Sequence, residues 1–162
     1  MKRVALILGL CALLLPAAAW ASGIDLTNYS GTVNITNAGI VSTRSLLLSY
    51  NGKNAAPGGS LGSVNFSTGA LTSGSIWGGG TFAGGVGSSF DIFGIGPWAK
   101  KMTGATANPV TLFSGSFVGP VSWTLKSWDG KFDYVFTLSG TIEGTFWDGR
   151  TVTGTTTQTI YA

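Results

Sequence analysis

Histidine is absent from the chain, and the one cysteine, Cys11, falls in an apolar stretch near the N-terminus. These gaps remove the usual general base, the soft metal ligands and the thiol nucleophile together. They also remove disulfides as a source of stability beyond residue 21, so a closed apolar core has to supply it. Charge is scarce too, with nine Lys and Arg against six Asp and Glu in 162 residues. Lys100 and Lys101 form the one basic pair outside the N-terminus, too little for a phosphate backbone, so nucleic acid is not an expected partner. No apolar period of 3.6 residues survives the glycines, and no long helix is expected.

What is present begins with an export signal. Met1, Lys2 and Arg3 are followed by an apolar run over 4–15, then by Pro16 and an exit through Ala19, Trp20 and Ala21. A basic start, a short apolar centre and a small-x-small exit read as a signal peptide over 1–21, cleaved after Ala21. The run is shorter than the roughly 20 residues a membrane-spanning helix requires. Leu8, Gly9 and Leu10 precede Cys11 where a lipidation site would want small residues, so lipidation is not expected. The expected location is periplasm, cell surface or medium. Without Lys2 and Arg3 the remainder carries seven basic and six acidic residues and is close to neutral.

Residues 22–162 are expected to form a single all-β domain of 141 residues. Gly, Ser and Thr make up 62 of them, a bias that on its own would suit disorder. Leu, Ile, Val and Phe number 35, and aromatic residues 18, which a disordered chain lacks. Strand candidates lie at 31–36, 44–50, 61–67, 74–82, 86–94, 110–118 and 121–128, ahead of the C-terminal segment. Nine or ten strands at this spacing predict an antiparallel β-barrel or β-sandwich. Segments 51–60 and 94–109 are the longest breaks and the natural places for a functional surface.

The C-terminal segment reads as a three-stranded meander with two Asp-Gly turns, Asp129-Gly130 and Asp148-Gly149. Phe132, Tyr134, Phe136, Leu138, Ile142 and Phe146 share one parity, while polar residues fill the other. A two-residue first turn places Leu125 opposite Tyr134, Trp123 opposite Phe136 and Lys126 opposite Asp133. At the second turn, a three-residue loop over 147–149 with left-handed Gly149 pairs Gly144 with Val152 and Phe136 with Ile160, which keeps Val152 and Ile160 inside. Gly140 and Gly144, on the apolar face, mark a bend or a close backbone approach.

Three segments carry a resemblance: GGGTFAGGVGSSFDIFG (78–94), LFSGSFVGPVSWTL (112–125) and YVFTLSGTIEGTFWDGRTVTGTTTQ (134–158). They resemble small exported Gly/Thr-rich β-proteins of environmental bacteria, a group without an assigned activity, cofactor or catalytic residue. The resemblance implies an exported β-domain and nothing more.

Motifs with chemistry are few. Gly94-Ile95-Gly96-Pro97-Trp98-Ala99 fits G-x-G-x-x-A, but a dinucleotide site needs a helix opening there, which Pro97 and the missing helical pattern oppose. The same stretch runs on to Lys100 and Lys101 but lacks the Gly and Ser/Thr of a phosphate loop. Gly84 to Ser89 begins like a calcium-binding repeat, yet Ser89 stands where Asp belongs. Calcium at Asp91 or the turn aspartates stays a minority reading, and no cofactor or metal is expected. Paired carboxylates are the one hydrolytic class the composition permits, and they must stand roughly 5–10 Å apart. Asp133 and Glu143 are too far apart along one strand, which leaves Asp91 with Glu143 open.

The expected function is a non-catalytic binding or cell-surface structural module, with a polysaccharide or other surface polymer as partner. Candidate ligand-binding residues are Trp98, as an exposed anchor, and the turn tryptophans Trp128 and Trp147, which Lys131 and Arg150 stand ready to cover by cation–π contact. Trp128 and Trp147 fall at opposite ends of a strand, so they form no joint platform. The first alternative is a small outer-membrane β-barrel, the only reading in which the protein meets a membrane. The second is a carboxylate-dependent glycan hydrolase.

Overall fold

A computed structural model describes residues 24–128 and 134–161, without the side chains of Trp128 and Tyr161. The expected signal peptide over 1–21 and the expected first Asp-Gly turn therefore lie outside the described residues. Among those described, eleven strands occur in chain order. They are β1 (Leu26–Tyr29), β2 (Thr32–Thr36), β3 (Gly39–Tyr50), β4 (Lys53–Asn54), β5 (Gly62–Ser67), β6 (Leu71–Ser75), β7 (Gly79–Phe82), β8 (Ser89–Gly94), β9 (Val110–Trp128), β10 (Tyr134–Phe146) and β11 (Thr151–Tyr161). One helix, α1 (Gly96–Thr103), interrupts them.

The strands form one curled antiparallel sheet in the order β1-β3-β5-β8-β9-β10-β11. β2 continues β1 along the same edge of β3, past a kink at Ser30 and Gly31, both at positive φ. The β6–β7 hairpin joins β9 beyond the end of β8, so the 19-residue β9 has β8 beside its first half and β7 beside its second. The expected all-β fold, a barrel or a sandwich, is thus realised as one barrel-like sheet curled around its own apolar face.

Alternation explains that curl. In β5 and β8 buried and half-buried residues alternate strictly, with Val64, Phe66, Phe90 and Ile92 inside. Their neighbours Asn65, Ser67, Ser89 and Asp91 face out, as period-2 geometry requires. Inside, twenty-one buried apolar residues make one continuous cluster. Phe66, Phe90, Phe113 and Phe117 interlock there, with edge-on contacts of 6.1–6.4 Å between most of their rings. Each such side chain removed from water contributes about 1.5–3 kcal/mol, which is how the fold stands without disulfides.

The meander departs from expectation in the described register of β9 with β10. Trp128 opposes Tyr134, where the expected register put Lys131 opposite Trp128. Leu125 faces Phe136 and Trp123 faces Leu138, in place of the expected Tyr134 and Phe136. Two bulges then bring the strands into the expected register from Thr141 opposite Val118 onward. Because each bulge re-aims the chain, Val121, Trp123, Phe136 and Leu138 all stay buried. The expected Lys126–Asp133 pair involves a residue outside those described.

The second turn forms as expected. Gly144 pairs with Val152 and Phe136 with Ile160, and Gly149 is left-handed at φ +85°. Two backbone bonds close the loop: Gly149 N–H to the Phe146 carbonyl and Phe146 N–H to the Arg150 carbonyl, both 2.9 Å. The glycines of β10 mark close approaches: a Cβ on Gly144 would stand 2.6 Å from the Phe113 ring, and one on Gly140 2.8 Å from that of Phe117.

Three further expectations are corrected. Residues 74–82 are not one strand but the β6–β7 hairpin, because the chain reverses at Ile76-Trp77-Gly78. The runs 110–118 and 121–128 form one strand, since Gly119 (φ +78°) and Pro120 sit where the ladders on both sides are interrupted and no N–H is needed. Finally, a helix does open at Gly96. Pro97 lies in its first turn, where a missing N–H costs nothing, and so starts the helix it was read as opposing.

Candidate functional site

Trp98 is not the exposed anchor expected from the sequence. α1 lays it half-buried against the barrel end, its ring 6.1 Å from Tyr50, its indole N–H donating to the Leu61 carbonyl at 3.1 Å. Its polar group is thereby used, and its ring packs at a 48° tilt against Tyr50. α1 follows G-x-G-x-x-A as a dinucleotide loop would, but β8 and β9 on either side of it are antiparallel neighbours, not the parallel pair of that fold.

Trp147 is 41% exposed at the tip of the β10–β11 turn. Arg150 does not cover it. The guanidinium lies 5.3 Å from the Phe146 ring centroid and bonds Asp148 at 2.7 Å. Asp148 also accepts the Arg150 amide at 3.2 Å, the turn-stabilising role expected of it. Desolvation pushes this carboxyl up, yet the bonds from Arg150 outweigh it and hold the pKa below the ordinary 3.8. Close by, burial and then the Asp148 charge push the Tyr50 hydroxyl above its ordinary 10.0.

At the other end of β10 stands an aromatic that sequence reading passed over. Trp77, at the tip of the β6–β7 hairpin, is 60% exposed and leans on Tyr134 with ring centroids 5.5 Å apart. Tyr134 stacks on Phe136, and Phe136 on Trp123, so a ladder of rings runs from the surface into the core. Trp128 pairs with Tyr134 in the backbone register at this same end. The structure therefore separates the three expected residues: Trp98 and Trp147 belong to the α1 end and Trp128 to the opposite one. Trp77 escaped notice because 74–82 read as a strand, which hid the hairpin tip.

Asp91 and Glu143 share the outer face across β9. Asp91 opposes Ser114, whose hydroxyl donates to it at 2.7 Å, while Glu143 opposes Ser116. Two strand spacings and two residues of rise separate their backbones by about 12 Å.

The outer face of β9–β11 is a hydroxyl array. Thr137 opposes Thr159, Ser139 opposes Thr157, Thr141 opposes Thr155 and Thr145 opposes Thr151. The row extends onto β9 through Thr124, Ser122 and Ser114.

Among the described residues, β1 and β11 are the two edges of the curled sheet and do not pair with each other. Two cavities of about 420 and 530 Å³ occupy this seam and share Leu26, Thr157 and Gln158. Phe90, Phe113 and Ile142 floor the first, Phe66, Val33 and Ile160 the second. No family model, curated protein or solved structure matches the chain.

Proposed function

We propose that the protein is an exported, non-catalytic β-barrel module that binds a polymer of the cell surface or its surroundings, a polysaccharide being the best chemical fit. The observation that carries this reading is the Trp77–Tyr134 pair, an exposed indole braced from below by a ring ladder. A braced flat ring offers a stacking face to sugar C–H groups at little entropic cost, and neighbouring hydroxyls suit sugar hydroxyls. Trp147 supplies a second exposed ring at the far end.

The outer-membrane alternative fits the side chains less well. A membrane barrel turns apolar residues outward and polar residues inward. Here the apolar cluster is inside, and Thr and Ser cover the outer faces of β9, β10 and β11. The test is a pull-down on insoluble cellulose, chitin and peptidoglycan with wild type, Trp77→Ala and Trp147→Ala. Binding that falls at least tenfold in Trp77→Ala at unchanged melting temperature supports the reading. No retention on any of the polymers, or retention indifferent to both changes, overturns it.

A further inference from the structure

Six consecutive antiparallel pairings connect β1 to β11, so the two edge strands of the seam run in the same direction. Such edges are mismatched for closing an antiparallel barrel on each other, but one strand of opposite direction between them would pair antiparallel with both. The backbone is set for this. Phe146 N–H bonds the Arg150 carbonyl, and the β10–β11 register runs unbroken from there. Even-numbered residues of β11 therefore bond β10, while the N–H and C=O of Thr153, Thr155 and Thr157 point into the seam. On the other side Asn51 N–H bonds the Asp25 carbonyl, which turns the backbone groups of Leu26 toward the seam as well.

The geometry points to the seam as a docking site for one extended polypeptide strand, supplied by another chain, that runs antiparallel to both β1 and β11 and completes the barrel. Its chemistry follows from the lining. The floor is apolar and the side facing water is rimmed by threonines, so the strand alternates apolar and polar residues. Among the described residues no Asp, Glu, Lys or Arg lines either cavity, so its inward side chains are uncharged. The chain's own N-terminal run over 4–15 does not meet this description, being apolar at nearly every position. A strand of that composition would turn one apolar face to water, which is why the occupant is assigned to a second polypeptide.

The sequence of β10 serves as a probe, because it already pairs antiparallel with β11 and alternates in the required way. A fluorescent synthetic copy of Tyr134–Phe146, with lysines appended for solubility, is titrated against the protein by anisotropy. Two variants test the site without relying on one fold outcome. Thr155→Pro deletes a seam-facing donor while sparing the bonds to β10. Gly154→Phe fills the first cavity from a position where a Cβ meets nothing within 4 Å. Saturable one-to-one binding is expected, at least tenfold weaker in either variant that melts like wild type, as loss of one good hydrogen bond or of the pocket implies. Amide exchange at Thr153, Thr155 and Thr157 should slow at least tenfold on binding. No saturable binding, binding as tight to Gly154→Phe as to wild type, or equal binding of a scrambled peptide without alternation would overturn the proposal. Polysaccharide retention is read in a separate assay, so failure of either reading leaves the other standing.

Discussion

Trp123 and Phe136 stack with ring centroids 4.3 Å apart and planes 13° from parallel, although neither is the other's cross-strand partner. The register places Leu138 opposite Trp123 and Leu125 opposite Phe136, so the rings meet on the diagonal, within the roughly 7–8 Å reach of such neighbours. Trp123 also donates its indole N–H to the Ile76 carbonyl at 2.8 Å, which ties β9 to the β6–β7 hairpin.

Trp123 is 1% exposed, so truncation opens a large cavity and strands the Ile76 carbonyl. Trp123→Ala should cost about 3–5 kcal/mol in denaturant unfolding, and Trp123→Asp should prevent folding. A loss below about 1 kcal/mol for the alanine variant would contradict the burial described.

Two glycines of the same hairpin separate packing from backbone strain. At Gly144 a Cβ would collide with the Phe113 ring and the Ser114 carbonyl, whereas at Gly149 it would meet nothing but adopt φ +85°. Gly144→Ala should therefore cost about 1–3 kcal/mol through overpacking. Gly149→Ala should cost about 1 kcal/mol through strain alone. Paired melts give the order, and a larger loss at Gly149 would reverse the assignment.

Tyr50 carries an alkaline signature. Its folded pKa stands above the ordinary 10.0, because burial and then Asp148 oppose the phenolate. The unfolded chain loses this proton first, so stability is intact below pH 10 and falls as pH rises through the folded value. Melting temperature should fall as pH rises above about 10 in wild type, and less so in Tyr50→Phe. Equal drops in both proteins would remove Tyr50 as the cause.

Trp98 should prove structural. Trp98→Phe loses the bond to the Leu61 carbonyl and should cost about 1 kcal/mol. Its retention on any polysaccharide bound by wild type should match wild type, and a selective loss of retention would return Trp98 to the binding surface.

Legibility followed local alternation. The face of β10, the three-residue turn at Gly149 and the close approach at Gly144 could be read because side-chain parity and glycine placement dictate them within one hairpin. The register of β9 with β10 misled because an Asp-Gly pair suggests one unbroken ladder, while the bulges that shift it depend on Gly119, Pro120 and the neighbouring strands. α1 was hidden by its eight-residue length and by Pro97, whose meaning depends on whether a helix begins or continues there. The seam, with its two parallel edges, follows from the parity of the whole sheet, and no local pattern carries it.

The central claim is a barrel with its apolar face inside and its hydroxyl face in water. Its most direct test is sedimentation of the purified protein without detergent, together with near-ultraviolet circular dichroism. The account requires a monodisperse species in plain buffer, with a sharp aromatic signal from the Trp123–Phe136 stack that disappears in one cooperative melt. Aggregates that only detergent disperses into a β-rich, heat-resistant species would contradict it and turn the face of Phe136, Leu138 and Ile142 toward lipid.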